Sequence, residues 1–228
     1  MGRFKAVIFD LDDTLYPERQ FVLSGFAAAA DWVASETGLS SETCASQVTA
    51  IFDHGERAHT FDVWLDSARL PKSLSLGMVK AYREHRPALT LHDDADKAIA
   101  RCVQARLATG LVSDGYLDVQ RGKVASLRLT EKLTTIVLSD EFGRAFWKPA
   151  TKPYLTAVER LGVSPEEAVY VGDNPRKDFE GARRSGLKSV RVRRTDGLYS
   201  SEEAASRDAE PDREVSTLMD LHEVLATL

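Results

Sequence analysis

Short apolar runs recur along this chain with polar or turn residues between them: KAVIFDL from Lys5, RLATGLVSDG from Arg106, TTIVLSD from Thr134, EAVYVGD from Glu167, KSVRV from Lys188 and EVST from Glu214. Each is rich in branched side chains and bounded by breakers, the pattern of a buried strand. The intervening stretches carry helical periodicity and predict helices over about 93–105, 116–127, 151–161 and 175–185, with a last one from about Leu218. Strands alternating with helices require right-handed crossovers and so a doubly wound parallel sheet, an α/β fold covered on both faces. In such sheets ligands bind beyond the carboxyl ends of the strands.

The stretch 15–86 breaks this rhythm. It has no convincing strand but contains three helix-like segments, ERQFVLSGFAAAADWVASETG, SETCASQVTAIFDHGERA and SLGMVKAYREH, with Gly38 as a C-cap and Ser41 with Glu42 opening the second. So much helix between two strands is too long for a simple crossover. The expectation is an α/β core domain over 1–14 and 87–228 with an inserted all-α cap domain over 15–86. The polar segment RRTDGLYSSEEAASRDAEPDRE reads as an irregular loop with at most a short helix.

Composition narrows the function classes. The 228 residues, 43% hydrophobic and 29% charged, are those of an ordinary globular protein. A net charge of −5 argues against nucleic acid as a partner, which needs a basic face. No apolar run approaches the ~20 residues of a membrane span, and AVIF is too short for a secretory h-region. Cys44 and Cys102 form no CxxC pair and fit a reduced, cytoplasmic setting. The five histidines share no metal-ligand spacing, and Arg183, Arg184, Arg191, Arg193 and Arg194 read as a solvated face.

The chemistry starts at FDLDDTLYPE, where the first strand ends in Asp10, Asp12 and Asp13. Like charges sharing a site repel, and a divalent cation is the natural compensation. The i, i+2 spacing lets Asp10 and Asp12 address one site, whereas Asp13 reads as a turn cap. Ser113 and Asp173 also stand at carboxyl ends of predicted strands, and Lys148 follows the TTIVLSD strand. Four strands thus deliver carboxylates, a hydroxyl and an ammonium to one rim. Lys152, also followed by proline, rivals Lys148. Asp178 reads equally as a first-turn helix stabiliser behind an Asn174 cap and Pro175, and as a metal-site residue.

The stretches DLDDTL, LVSDG, KPATKPYLTAVERLGV and VYVGDNPRKDFEGARRSGL, in that order, resemble the haloacid dehalogenase-like hydrolase superfamily, and within it the Mg-dependent phosphatases with a helical cap inserted after the first motif. The resemblance implies a Rossmann-like core, Mg²⁺ as cofactor and a small phosphorylated metabolite as substrate. It implies Asp10 as nucleophile forming an aspartyl-phosphate and Asp12 as general acid and base, with Ser113 and Lys148 stabilising the transferring group. Asp10, the backbone carbonyl of Asp12, and Asp173 would hold the metal, with Asp178 in support. Tyr16, Arg19, Gln20, Arg57 and Trp147 are candidates for contact with the leaving group. The residues leave open a phosphomutase, a phospho-accepting or binding module, and carbon–halogen hydrolysis, which would give Asp12 no task. A monomer or homodimer is expected.

Overall fold

The computed structural model describes residues 3–228. Six strands, β1 (Ala6–Phe9), β2 (Ala108–Ser113), β3 (Thr135–Leu138), β4 (Ala168–Gly172), β5 (Lys188–Val192) and β6 (Arg213–Val215), form one parallel sheet in the order β3-β2-β1-β4-β5-β6. Helices α1 (Glu18–Thr37), α2 (Ser41–Asp53), α3 (Thr60–Ser67), α4 (Ser75–Glu84) and α5 (Asp93–Gln104) come between β1 and β2. Then α6 (Leu117–Ser126) follows β2, α7 (Lys152–Leu161) follows β3, α8 (Asp178–Arg184) follows β4, and α9 (Leu221–Thr227) ends the chain. The strand order reverses at β1, one of the two central strands, so the crevice beside its carboxyl end is the topological switch point. Every residue of β1 and β4 is buried, as a strand covered on both faces requires.

The chain divides into two compact units. One runs from the start of the described chain to Glu18 and resumes over Leu89–Leu228; the other is Arg19–Ala88. On one side of the sheet, Ile8, Val112, Val137 and Tyr170 pack with Tyr154, Ala157 and Val158 of α7 and Ala182 of α8. Within Arg19–Ala88, Phe26 stands at the centre of an aromatic cluster, 5.5 Å from Phe52 and 5.7 Å from both Phe61 and Tyr82. Gly25 and Ala29 on α1 are buried, so the FAAAADW run serves close helix packing. No described helix is long and apolar enough to cross a membrane.

The structure departs from the pattern-based expectation in four places. The helix over Ser41–Asp53 starts where the sequence suggests, with Ser40 capping it by accepting from the Thr43 N–H at 3.3 Å, but it ends sooner. α3 was not foreseen: its buried Phe61, Trp64 and Leu65 span barely more than one turn, too little for periodicity to register. α8 begins at Asp178, because Asn174 closes a side-chain turn instead of a helix, its Oδ1 accepting from the Arg176 N–H at 2.9 Å. Arg191 and Arg194 are not a solvated face. Arg191 is buried and donates to the backbone carbonyls of Asp173 and Tyr199, and Arg194 pairs with Asp94.

Candidate active site

β1 carries its ladder one step beyond Phe9, the Asp10 N–H donating to Val171 at 2.8 Å, which delivers the Asp10 side chain to the sheet edge. Its Oδ1 accepts from Lys148 Nζ at 2.6 Å. The same ammonium donates to Asp178 Oδ1 at 2.7 Å and to the Tyr170 hydroxyl at 2.9 Å, so a buried lysine is satisfied on three sides. Both Asp114 carboxylate oxygens in turn accept from the Lys148 backbone N–H, at 3.2 and 3.1 Å, fixing the loop that carries the lysine. Asp178 reaches the cluster only because Gly172 has no side chain: a Cβ there would stand 2.5 Å from Asp178 Oδ2. That oxygen accepts from the Asn174 N–H at 2.9 Å.

Electrostatics follow from burial and these pairs. Burial pushes the Asp10 carboxyl up, Lys148 pulls it down and Asp178 pushes it up again, leaving it at about 6. Burial would lower Lys148, but Asp10, Asp178 and Asp114 outweigh that and hold its ammonium charged. Burial likewise opposes ionisation of Asp178, and Lys148 and Lys177 reverse the balance and keep it below the usual carboxylate range. For Asp173 the pull of Lys177 is outweighed. Burial, then Asp178 and Asp10, drive its carboxyl well upward.

That imbalance bears on a metal. Ligand oxygens of Asp10, Asp173 and Asp178 lie within 4.8 Å of one another. Asp10 Oδ2 is buried and accepts no hydrogen bond from any described residue. A buried carboxylate oxygen without a donor, beside a second carboxyl raised by its neighbours, is the environment a hard divalent cation relieves. Both Asp178 oxygens already accept hydrogen bonds, so Asp10 and Asp173 offer the open ligand positions and Asp178 backs them.

Asp12 faces a different partner. Its Oδ1 accepts from Lys123 Nζ at 2.6 Å and from the Tyr16 hydroxyl, and its carboxylate stands outside the three-aspartate cluster. Burial works against its ionisation, but the Lys123 ammonium and these hydrogen bonds hold it below the ordinary carboxylate range. Asp13, at φ 51°, accepts from the Glu18 and Leu198 N–H groups at 2.8 and 2.7 Å. It thereby ties the first loop to the loop after β5.

Asp10, Asp12, Lys148 and Asp173 share the wall of a cavity of about 330 Å³. A larger hollow of about 460 Å³ near His92 and Lys132 brings no reactive groups together, since Lys132 pairs with Asp96 and Arg128 with Glu131. Ser113, at the end of β2, is buried behind the wall and donates to Gln120 Oε1 at 3.3 Å. Trp147 lines the cavity, its indole N–H donating to Asp140 at 3.0 Å. Tyr16 is fully buried and meets the site through its hydroxyl on Asp12, so its ring is not offered to a leaving group. Arg19, Gln20 and Arg57 belong to the helical unit, where Arg19 holds Asp53 through both nitrogens and Arg57 lies 5.6 Å over the Phe52 ring. Lys152 stands at the start of α7, its ammonium 5.5 Å from the Phe142 ring.

The cavity also contains Glu18, Gln120, Lys123, Lys177 and Tyr199, which the sequence did not single out. Gln120 and Lys123 carried a readable signal: they are polar residues on the α6 face that also buries Val124.

Known proteins resemble this chain in sequence and in fold. The family model for haloacid dehalogenase-like hydrolases matches residues 7–192. A protein of Methanopyrus kandleri named glyceraldehyde 3-phosphate phosphatase is 33% identical, covering 98% of each chain. Among solved structures, a HAD family hydrolase from Deinococcus radiodurans R1 with bound phosphate and sodium superposes with a TM-score of 0.71 at 19% identity, covering 100% of this chain and 97% of that one. A 2-haloacid dehalogenase from Pseudomonas syringae superposes at 0.66 with 23% identity, covering 98% and 99%. With the aspartate cluster at the switch point of a parallel sheet and a family match across most of its length, the chain belongs to the haloacid dehalogenase-like hydrolases.

Proposed function

We propose that this protein is a Mg²⁺-dependent phosphatase that hydrolyses a small phosphomonoester through an aspartyl-phosphate on Asp10. The observation that carries the reading is the pair at the end of β1. Asp10 has one oxygen on Lys148 and the other without a donor, and Asp12 stands two residues on at the same cavity. Asp10 supplies the attacking carboxylate, and Lys148 orients it and meets negative charge on the transferring phosphoryl group. Asp12 gives its proton to the departing ester oxygen, then takes one from the water that attacks phosphorus and releases Asp10. Ser113 donates a hydrogen bond toward the phosphoryl group when substrate draws it from Gln120. The residues that would hold Mg²⁺ are Asp10, Asp173 and the backbone carbonyl of Asp12, with Asp178 in support, and the chemistry it supplies is charge cancellation.

Carbon–halogen hydrolysis also uses an aspartate nucleophile, and a dehalogenase shares the fold. Halide departs without a proton, so that reaction leaves unexplained a buried lysine and tyrosine committed to Asp12. The Methanopyrus relative's name points to a phosphorylated triose, and a cavity of about 330 Å³ suits a metabolite of that scale. The helical unit over Arg19–Ala88 is inserted in the sequence after the first motif, which supports reading it as a cap, and Trp147, on the cavity wall, is the core residue assigned to the leaving group. Two buried, unbonded cysteines suit a cytoplasmic setting. Phosphate release across triose, sugar, nucleotide and acid phosphates, with Mg²⁺ or chelator, tests the reading. Release is expected with Mg²⁺ only, and Asp10→Asn, still folded, should abolish it. Near-normal turnover by that variant would remove Asp10 as nucleophile.

A further inference from the structure

Helix α6 follows the Ser113-Asp114-Gly115 turn and buries Gln120, Lys123 and Val124. A lysine whose side chain is 4% exposed is unusual, because an ammonium taken from water is costly unless it is paired and hydrogen-bonded. A helix that needed only to pack would carry leucine or methionine there, and such a replacement of a buried ion pair is often neutral for stability. Lys123 instead crosses to a residue 111 positions away and puts its ammonium 2.6 Å from Asp12 Oδ1. The fully buried Tyr16 donates its hydroxyl to the same oxygen, and the Lys123 ammonium lies 5.9 Å over the Tyr16 ring. Two donors from different elements therefore converge on one oxygen. No described residue donates to the other, Oδ2, and Asp12 lines the cavity.

We propose that Lys123 is a positioning residue for Asp12: with Tyr16 it holds Oδ1 and leaves Oδ2 as the atom that exchanges the proton. The inference rests on the phosphatase reading above. In the first half-reaction an Asp10 oxygen forms a bond to phosphorus, the ester P–O bond breaks, and a proton that Asp12 Oδ2 has taken up as the anionic phosphoryl group arrives goes to the departing oxygen. In the second, Oδ2 takes a proton from water as the water oxygen bonds to phosphorus. The Asp10–phosphorus bond then breaks, and Asp10 and protonated Asp12 are restored. Lys123 keeps its own proton throughout. Its charge stands beside Asp12 while Asp12 is a carboxylate, the state in which the second half begins.

The test compares Lys123→Met with wild type on p-nitrophenyl phosphate, whose leaving group needs no proton, and on an alkyl phosphate. On the alkyl phosphate, where both halves need the proton, Lys123→Met is expected to lower kcat by about ten- to a hundredfold, within the range general acid–base catalysis supplies, with KM within a few fold. On p-nitrophenyl phosphate, where only the second half slows, KM should fall together with kcat. With p-nitrophenyl phosphate the variant should release a burst of p-nitrophenol approaching one per active site, because the aspartyl-phosphate forms and then hydrolyses slowly. Lys123→Arg should recover most of the rate. A folded Lys123→Met with wild-type kcat, a loss confined to KM, or an arginine variant no better than methionine would overturn the proposal. If the methionine variant does not fold, Lys123→Gln, which keeps a hydrogen bond without charge, is compared with Lys123→Arg by the same criteria. These outcomes leave Asp10 untouched, whereas activity in Asp10→Asn would fail the phosphatase reading itself.

Discussion

Lys148 shows how much of the site depends on one side chain. Its ammonium has three acceptors, and two of them are carboxylates that would otherwise face each other in a buried space. Replacing it leaves Asp10 and Asp178 without compensation and, on the proposed mechanism, removes the charge that would oppose the phosphoryl group. Lys148→Ala should lower kcat by a hundredfold or more, a scale on the order of a lost transition-state donor. Lys152→Ala, at the start of α7 beside Phe142, should change it little. Steady-state assays of the two variants decide the matter, and the reverse ranking would contradict the assignment. At this scale the sequence was informative where strand ends announce chemistry: Asp10, Asp12, Ser113, Lys148 and Asp173 follow apolar runs. Gln120 and Lys123 offered only the faint signal of polar residues on the α6 face that buries Val124, and the partner that explains Lys123 lies 111 positions away.

Among the elements, α5 does more than cover the sheet. Asp94 in its first turn accepts from both terminal nitrogens of Arg194, from the Thr217 hydroxyl at 2.8 Å and from the Leu218 N–H at 2.8 Å. Arg194 also donates to the Thr14 carbonyl at 2.8 Å, so one carboxylate braces the loop after β5, the C-terminal segment and the loop that carries Asp12. Burial would raise the Asp94 carboxyl, but Arg194, Leu218 and Thr217 outweigh it and hold it at about 2. A carboxyl lower in the folded than in the unfolded chain stabilises the fold above the unfolded value of about 3.9, and that contribution fades as pH falls towards the folded value. Asp94→Ala should therefore cost about 2 kcal/mol near neutral pH, and denaturant titrations should show the gap from wild type closing between pH 4 and pH 2. Strands and long helices were legible because burial on both faces and helical periodicity persist over several residues. The start of α8 was not. An Asn-Pro pair encodes a helix cap and a side-chain turn equally well, and the hydrogen bond to Arg176 selects the turn.

For the molecule as a whole, the sheet order places β1 between β2 and β4, so the ends of these strands supply Asp10, Ser113 and Asp173 to one region. The acidic cluster is therefore a product of topology: residues far apart in sequence meet because parallel strands all end on the same side. The resulting excess of buried negative charge is relieved by Lys148 on one face and is suited to a divalent cation on the other. The central claim is that Asp10 carries the phosphoryl group between substrate and water. It is tested most directly by mixing enzyme, Mg²⁺ and a turned-over phosphomonoester, quenching in acid and locating any phosphoryl group by peptide mass spectrometry. A phosphorylated peptide containing Asp10, present in wild type and absent in Asp10→Asn, is the predicted result. Rapid turnover with no phosphorylated Asp10 at any quench time, or with the label on another residue, would contradict the account.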